Sequence, residues 1–133
     1  MIVQDYLTEI KAKLITSSII DKIVIVKERT LSDQGYFRAR LNLTNGDFLE
    51  VVEFFKVKGD QCITETYRYQ WMDGTRTQLR KRWDNVEHFP NLPNFPHHVH
   101  IEEESHVYAS VCRNILEIID LISQEIKEEV LKF

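Results

Sequence analysis

The chain has 133 residues, of which 43% are hydrophobic and 11% aromatic, enough to bury the core of one compact domain but not of two. Its 17 basic and 21 acidic residues give a formal net charge of -4, which excludes nucleic-acid binding by the electrostatic field of the whole molecule. We therefore expect a single domain, residues 1–133, in which any contact with nucleic acid depends on a local basic patch.

The remaining composition indicates a cytoplasmic protein. Residues 1–15 mix charged side chains with apolar ones and so lack the continuous hydrophobic run of a secretory signal. No segment has the length of a membrane span. Cys62 and Cys112 lie in segments predicted to be regular core elements, so we expect free thiols that pack as small hydrophobic groups rather than a disulfide.

The first predicted element is an amphipathic helix. Its apolar residues recur at helical spacing, with acidic and lysine side chains between them: Val3, Tyr6, Leu7, Ile10 and Leu14. The polar residues 16–18 end this helix. A β-branched run then predicts a strand from Lys22 to Thr30, and the polar residues 32–35 turn the chain back.

The next two strands show the clearest alternation of apolar and polar residues in the chain. Between them lies Asn45-Gly46, the preferred dipeptide of a two-residue type I′ turn. Such a turn pairs Leu43 with Phe48 and sets Arg38 opposite Glu53 on the face that is not buried. We expect one face of this hairpin to be buried.

A second hairpin is predicted further along the chain. A turn at residues 58–60 leads into a strand over residues 62–72, and Asp73-Gly74 begins a turn back along residues 75–84. Because every connection is short, sequential strands should neighbour one another as an antiparallel meander.

Two registers are open for this second hairpin. A strict two-residue turn sets Tyr67 opposite Arg80 and Tyr69 opposite Gln78, which gives an aromatic and cationic face suited to binding. A three-residue loop with a bulge sets Tyr69 opposite Leu79, and the tyrosines then join an ordinary core face.

The last part of the chain is predicted to be a proline-containing loop followed by a long helix. Pro90, Pro93 and Pro96 forbid a continuous helix or a central strand. A helical apolar stripe then runs from Ser105, the predicted N-cap, almost to the C-terminus. The whole chain therefore predicts an α+β fold, an antiparallel β-meander of about five strands flanked by an N-terminal helix and a long C-terminal helix.

Residues suited to chemistry concentrate between Tyr67 and His100. Arg76 and the run Arg80-Lys81-Arg82 predict a basic surface, with aromatic residues on the neighbouring strand. Single-stranded nucleic acid binds such surfaces, because cations hold phosphates and rings stack on bases. The alternative interpretation of Arg80-Lys81-Arg82 is a solvated edge strand, where charged side chains oppose edge-to-edge pairing with another sheet.

A histidine cluster, residues 97–100, follows the proline loop. On an extended chain His98 and His100 point the same way, so they can ligate a metal together or move protons during cleavage of a phosphodiester. The sequence contains no complete metal motif, so a structural cluster that caps the sheet is a third interpretation. No cofactor is assigned.

Polar residues also follow the basic strand directly. Asp84, Asn85 and His88 belong to the loop side of the sheet end, where catalytic groups commonly collect. Asp84 either orients a histidine or pairs with Arg82, and Asp-Asn after a strand is also ordinary turn chemistry.

Taken together, several of these segments resemble the TumE family of toxins. In chain order they are Phe48-Leu49-Glu50-Val51-Val52-Glu53, Tyr67-Arg68-Tyr69-Gln70-Trp71, Asp73-Gly74, Arg82-Trp83-Asp84-Asn85, His88 and Phe95-Pro96-His97-His98-Val99-His100. The resemblance implies a small toxin encoded beside an antitoxin with a helix-turn-helix DNA-binding domain and neutralised by direct contact with it. The loop departs from the family pattern at Val86, Glu87 and Phe89, where a histidine-rich stretch is expected.

The leading hypothesis is a toxin that acts on RNA as a metal-independent ribonuclease. Its catalytic candidates are His88, His98, His100, Arg82 and Asp84, and its substrate-binding candidates are Tyr67, Tyr69, Arg80, Asn85 and His97. The alternative is a non-enzymatic interaction module whose histidine and arginine segment is structural or binds the antitoxin. A metal-dependent enzyme is a third hypothesis, and a homodimer is left open. The leading hypothesis requires the basic hairpin and the histidine segment to meet in one pocket.

Overall fold

The computed structural model describes residues 2–132, which form two helices and one antiparallel sheet of seven strands in sequential order. The elements are α1 (Ile2–Thr16), β1 (Ile20–Thr30), β2 (Gln34–Leu43), β3 (Phe48–Lys58), β4 (Gln61–Met72), β5 (Leu79–Asp84), β6 (His98–Ile101), β7 (Val107–Ala109) and α2 (Ile115–Leu131). The predicted α+β meander with a helix at each end is confirmed, but the sheet has seven strands instead of about five. Neither helix within residues 2–132 combines the length and the apolar character needed to cross a membrane.

Both helices cover one face of the sheet, which we call the inner face. Their buried side chains and those of the inner face form a single hydrophobic core, which includes Leu7, Ile10, Phe37, Leu49, Tyr69, Trp71, Ile118 and Ile122. The buried residues of α1 are Val3, Leu7, Ile10 and Leu14, all of them in the predicted stripe. The opposite face of the sheet, the outer face, carries no helix.

The first hairpin has a longer loop than its Asn-Gly dipeptide predicts. Gly46 has a positive φ of 92°, whereas Asn45 does not, so the turn is not type I′. The Leu43 amide donates to the Asp47 carbonyl oxygen at 2.8 Å, which closes a loop of residues 44–46. The strands are therefore one residue away from the predicted register, and Arg38 faces Val52.

This one-residue shift turns Glu53 to the inner face, where its side chain is 0% exposed. The carboxylate accepts hydrogen bonds from Tyr6 Oη at 2.9 Å, Thr64 Oγ1 at 3.0 Å and the Ile115 amide at 2.9 Å. Burial raises the pKa of Glu53 to about 7. This carboxyl group therefore joins α1, β4 and the start of α2 to β3.

The second hairpin adopts neither predicted register. Its loop spans residues 73–78, closed by a hydrogen bond of 2.9 Å from the Asp73 amide to the Gln78 carbonyl oxygen. Tyr69 consequently faces Trp83 across the strand pair, and both rings are buried in the core. The longer loop is stabilised by the Asp73 side chain, which accepts from backbone amides within it.

The two strands that were not predicted follow the proline loop. β6 pairs with β5, and β7 pairs with β6, so β7 occupies the segment in which the long helix was expected to begin. The N-cap at Ser105 is therefore wrong. The cap is Asn114, whose side chain accepts from the Glu117 amide at 2.9 Å while the Glu117 carboxylate accepts from the Asn114 amide at 3.0 Å.

Both cysteines are free thiols. Cys62 is half-buried in β4, whereas Cys112 is exposed in the connection before α2. The prediction of a core position is therefore wrong for Cys112, because the helix that was expected to contain it begins only after it.

Gly35 lies where β2 passes beneath an aromatic ring. A Cβ atom at this position would lie 2.5 Å and 2.7 Å from two ring atoms of Phe55 and 3.0 Å from a methyl group of Val3. We expect Gly35→Ala to lower the unfolding free energy by about 1–3 kcal/mol, because the core must shift to admit the methyl group. Urea unfolding at pH 7 measures this change. An unchanged or increased stability would contradict close packing here, since glycine otherwise weakens a strand.

Candidate functional site

The candidate site is built from two adjacent rows of side chains on the outer face. Residues that pair directly across strands share a face of the sheet. One row contains Arg68, Asp84 and His98, and the next contains Gln70, Arg82 and His100. The strand order therefore brings the basic strand β5 beside the histidine segment β6.

Asp84 is the centre of this arrangement and is almost fully buried. Its Oδ1 lies 2.9 Å from His98 Nε2 and accepts from the Val86 amide at 3.0 Å. Its Oδ2 lies 3.8 Å from His100 Nε2 and 3.3 Å from Arg82 Nε. The aspartate therefore both orients a histidine and pairs with the arginine, the two roles that the sequence left as alternatives.

A backbone carbonyl oxygen accepts a hydrogen bond from the Nδ1 atom of each imidazole. His98 Nδ1 lies 2.9 Å from the Pro96 carbonyl oxygen, and His100 Nδ1 lies 2.8 Å from the Glu104 carbonyl oxygen. Because a carbonyl oxygen only accepts, each Nδ1 carries a hydrogen and donates it. Each Nε2 then points towards Asp84.

Arg82 links the site to the segment before β7. Its guanidinium donates two hydrogen bonds to the Glu104 carboxylate, at 2.5 Å and 3.0 Å. These bonds lower the pKa of Glu104. The pKa of Arg82 is raised by the same partner, so the pair stays charged across the physiological range.

These groups line a cavity of about 340 Å³, which we call the Asp84 pocket. All five catalytic candidates line it, namely Arg82, Asp84, His88, His98 and His100. The pocket also includes Arg68, Val86, Phe89 and Glu104. Phe89 forms one wall, with its ring centroid 4.9 Å from that of His98 and 5.9 Å from that of His100.

Arg68, Phe89 and Glu104 were not among the predicted site residues. Arg68 alternates with two buried tyrosines in β4, so its outward direction follows from the strand pattern. Its Nη2 donates to Gln70 Oε1 at 2.5 Å, and within residues 2–132 it forms no salt bridge. Its charge nevertheless contributes, after that of Arg82, to lowering the pKa of the Glu104 carboxyl group, so it acts on a carboxylate of the pocket without a direct ion pair.

The five substrate-binding candidates lie outside the Asp84 pocket. Tyr67 and Tyr69 stack in the core with ring centroids 5.1 Å apart, and burial raises the pKa of both hydroxyl groups. His97 Nδ1 is hydrogen-bonded to the Tyr67 hydroxyl at 2.9 Å. Asn85 accepts from the Tyr67 amide and donates to the Glu65 carbonyl oxygen. A role in substrate binding stays a prediction for these residues.

The basic run does not form the open surface that was predicted. Arg80, the fifth of those candidates, pairs with Asp47 at 2.8 Å, Lys81 pairs with Glu125 of α2, and Arg82 pairs with Glu104. β5 lies between β4 and β6 and is not an edge strand, so that alternative is also wrong. Each charge of the run is therefore paired with a carboxylate, although the side chain of Arg80 stays 45% exposed.

Asp84, His98 and His100 are the group within residues 2–132 whose side chains can hold a metal ion. All three are buried, and one ligand atom from each lies within 4.8 Å of the others. The pocket also contains side chains of the kind that transfer protons in catalysis, since imidazole can both accept and donate a proton.

Comparison with known families gives one result. A family described as Toxin TumE matches residues 10–130, a range that contains the whole Asp84 pocket and every segment of the resemblance noted above. No curated protein and no solved structure matches the chain.

Proposed function

This chain belongs to the TumE family of toxins, and we propose that it acts on RNA by cleaving phosphodiester bonds in the Asp84 pocket. Membership of the family indicates the toxin of a toxin–antitoxin system and hence an antitoxin partner. Action on RNA is supported by one observation, the convergence of two arginines, three histidines and an aspartate in a single cavity.

Cleavage of RNA by its own 2′-hydroxyl group requires three kinds of protein group. A base takes the proton of the 2′-hydroxyl group as its oxygen bonds to phosphorus, and an acid gives a proton to the 5′-oxygen as its bond to phosphorus breaks. Cations stabilise the negative charge that develops on the non-bridging phosphate oxygens. In the Asp84 pocket, Arg68 is suited to the last task because its side chain is exposed and forms no salt bridge within residues 2–132. His88 is the exposed histidine of the pocket, and we assign it, with His98 or His100, to proton transfer.

Replacing Arg68 by alanine tests the proposal with little risk to folding, because this side chain is exposed. We expect cleavage of total cellular RNA by the purified protein to fall by about 100-fold or more, as when one group that stabilises transition-state charge is removed. The unfolding free energy should stay within about 0.5 kcal/mol of the wild-type value. Gel analysis of the RNA and urea unfolding measure the two quantities.

Arg29→Ala is the matched control, since Arg29 is exposed on β1, far along the sheet from β5. It should leave cleavage unchanged. Wild-type protein that does not cleave RNA would refute the proposed activity, and equal cleavage by Arg68→Ala would remove Arg68 from it. Arg82→Ala and His98→Ala are informative only beside their unfolding curves, because both side chains are largely buried.

The burial of the histidines favours a second candidate function. His98 and His100 are 1% and 4% exposed, and the Nδ1 of each ring is hydrogen-bonded to a backbone carbonyl oxygen. His98 Nε2 also contacts Asp84 at 2.9 Å, whereas His100 Nε2 lies 3.8 Å from it. In this second function, His98, His100 and Asp84 hold the fold together as a structural clasp, and the protein is a non-enzymatic interaction module. Two results together would favour this function: the purified protein leaves RNA intact, and it still co-purifies with the product of the neighbouring gene.

We propose the same partner for both functions, an antitoxin with a helix-turn-helix domain encoded beside this chain. RNA as the substrate would place the protein in the cytoplasm. A homodimer stays a prediction, and light scattering of the purified protein would test it.

A further inference from the structure

Three buried side chains of the Asp84 pocket bring metal-ligating atoms close to one another. One nitrogen of His98, one nitrogen of His100 and a carboxylate oxygen of Asp84 all lie within 4.8 Å of one another. We propose that these three residues bind one divalent transition-metal ion, with Zn²⁺ as the ion that suits them best. This inference departs from the metal-independent reaction predicted from the sequence. It also replaces the proton-transfer role proposed above for His98 or His100, because an Nε2 that binds the metal has no lone pair left to accept a proton.

The hydrogen bonds around the imidazoles support a cation between the three groups. The Nδ1 hydrogens are donated to the carbonyl oxygens of Pro96 and Glu104, so a neutral ring keeps a lone pair on Nε2. Each Nε2 faces Asp84, which also offers only lone pairs. A proton on His98 Nε2 would satisfy the 2.9 Å contact with Asp84, but His100 Nε2, at 3.8 Å, is too far for a hydrogen bond. One shared metal ion satisfies all three groups.

The distances between the ligand atoms fit such an ion. Zn²⁺ lies about 2.0–2.2 Å from nitrogen and oxygen ligands, so two ligand atoms of a tetrahedral site are about 3.4 Å apart. His98 Nε2 lies 2.9 Å from Oδ1 of Asp84 and His100 Nε2 lies 3.8 Å from its Oδ2, values on either side of that separation. With one ligand atom of each residue within 4.8 Å of the others, the three groups are close enough to share an ion after their side chains rotate.

The surrounding groups are those that metal-binding histidines commonly have. A ligating imidazole almost always donates its other N–H to a carbonyl or carboxylate, which fixes the ring and its tautomer. Both rings do so here. Arg82 also lies beside Asp84, but its charge is offset by two hydrogen bonds to Glu104, so it opposes a bound cation less than a free guanidinium would.

The ligand types select the metal. Imidazole nitrogen suits Zn²⁺, Ni²⁺, Cu²⁺ and Fe²⁺, whereas Mg²⁺ and Ca²⁺ prefer sites made of oxygen ligands. Three protein ligands leave a fourth position for water or substrate, as in catalytic zinc sites. The three ligands line the Asp84 pocket together with Phe89 and Arg68, so water or substrate in the pocket could reach such an ion.

The experiment uses untagged full-length protein, freed of metal with a chelator and then dialysed. Titration calorimetry with Zn²⁺ alone should show one equivalent bound, with no comparable binding of Mg²⁺. Asp84→Asn and His100→Ala should weaken binding by more than about 100-fold, since loss of an outer hydrogen-bond partner alone costs 10–100-fold. His106→Ala is the matched control, because His106 is exposed and paired with Glu103, and its affinity should equal that of the wild type.

A second readout needs no variant and so does not depend on folding of the mutants. Co²⁺ bound by wild-type protein should shift two exchangeable imidazole N–H signals in the NMR spectrum, one for each ring that keeps its Nδ1 hydrogen while Nε2 binds the metal. Absence of saturable Zn²⁺ binding by the wild type, or fewer than two shifted signals, would overturn the proposal. So would unchanged affinity in folded Asp84→Asn and His100→Ala proteins.

The metal site and the proposed action on RNA can fail separately. Binding is measured without RNA, so a protein that binds Zn²⁺ but leaves RNA intact keeps the metal site and loses the ribonuclease proposal. A protein that cleaves RNA but shows no saturable Zn²⁺ binding keeps the ribonuclease proposal and loses the metal site.

Discussion

Replacing Asp84 by alanine is expected to lower the unfolding free energy of the metal-free protein by about 3–5 kcal/mol, the cost of removing one partner from a buried charged cluster. The reason is that His98 Nε2 and the Val86 amide both lose the oxygen they contact, while Arg82 keeps only Glu104. Urea unfolding with a chelator present, followed by circular dichroism, measures this change without any contribution from a bound ion.

Glu65→Ala serves as the control for the removal of a carboxylate. Glu65 pairs with Lys58 at 3.3 Å on the surface, and exposed pairs of this kind contribute about 0–1 kcal/mol. A loss below about 1 kcal/mol in Asp84→Ala would show that the cluster does not stabilise the fold. The structural clasp, our second candidate function, would then lose its support as well.

The stability of the wild-type protein should fall as the pH rises from about 4.5 to about 7, because of Glu53. Burial raises the pKa of this carboxyl group from its ordinary value of 4.5 to about 7. In the interval between these values the folded chain keeps a proton that the unfolded chain has lost. The unfolding free energy therefore decreases with pH there, by about 3 kcal/mol in total at 1.36 kcal/mol per pKa unit. The contribution is fully present below pH 4.5 and is lost above pH 7.

Glu53→Gln isolates this effect from the contributions of the other titratable groups. The amide is uncharged at every pH and can still accept from Tyr6 and Ile115, so the difference in stability between variant and wild type should change by about 3 kcal/mol between pH 4.5 and pH 8. Urea unfolding at a series of pH values measures it. Glu50→Gln is the control, because Arg40 and Arg38 lower the pKa of Glu50 and its titration falls below this interval. Parallel curves for Glu53→Gln and the wild type would contradict the prediction.

The sequence by itself determined the features that depend on the periodicity of a single segment. The helical spacing from Val3 to Leu14 predicted the buried stripe of α1, and the alternation in β2 predicted a buried face that includes Phe37 and Leu41. Spacing of two residues on an extended chain also predicted that His98 and His100 share a direction. Each of these follows from the backbone geometry of one element and needs no knowledge of its neighbours.

Only the tertiary structure decided which residues face one another and which of them reach the Asp84 pocket. One additional loop residue before Asp47 moved Glu53 into the core, and the six-residue loop 73–78 set Tyr69 against Trp83. Residues 107–109 form a strand because β6 presents an unpaired edge, although their spacing also fits a helix. Strand pairing depends on loop conformation and on distant partners, and shifting it by one residue moves a side chain to the other face. Local periodicity contains no information on loop conformation or on the distant partner of a strand, so it does not determine which side chains meet in the Asp84 pocket.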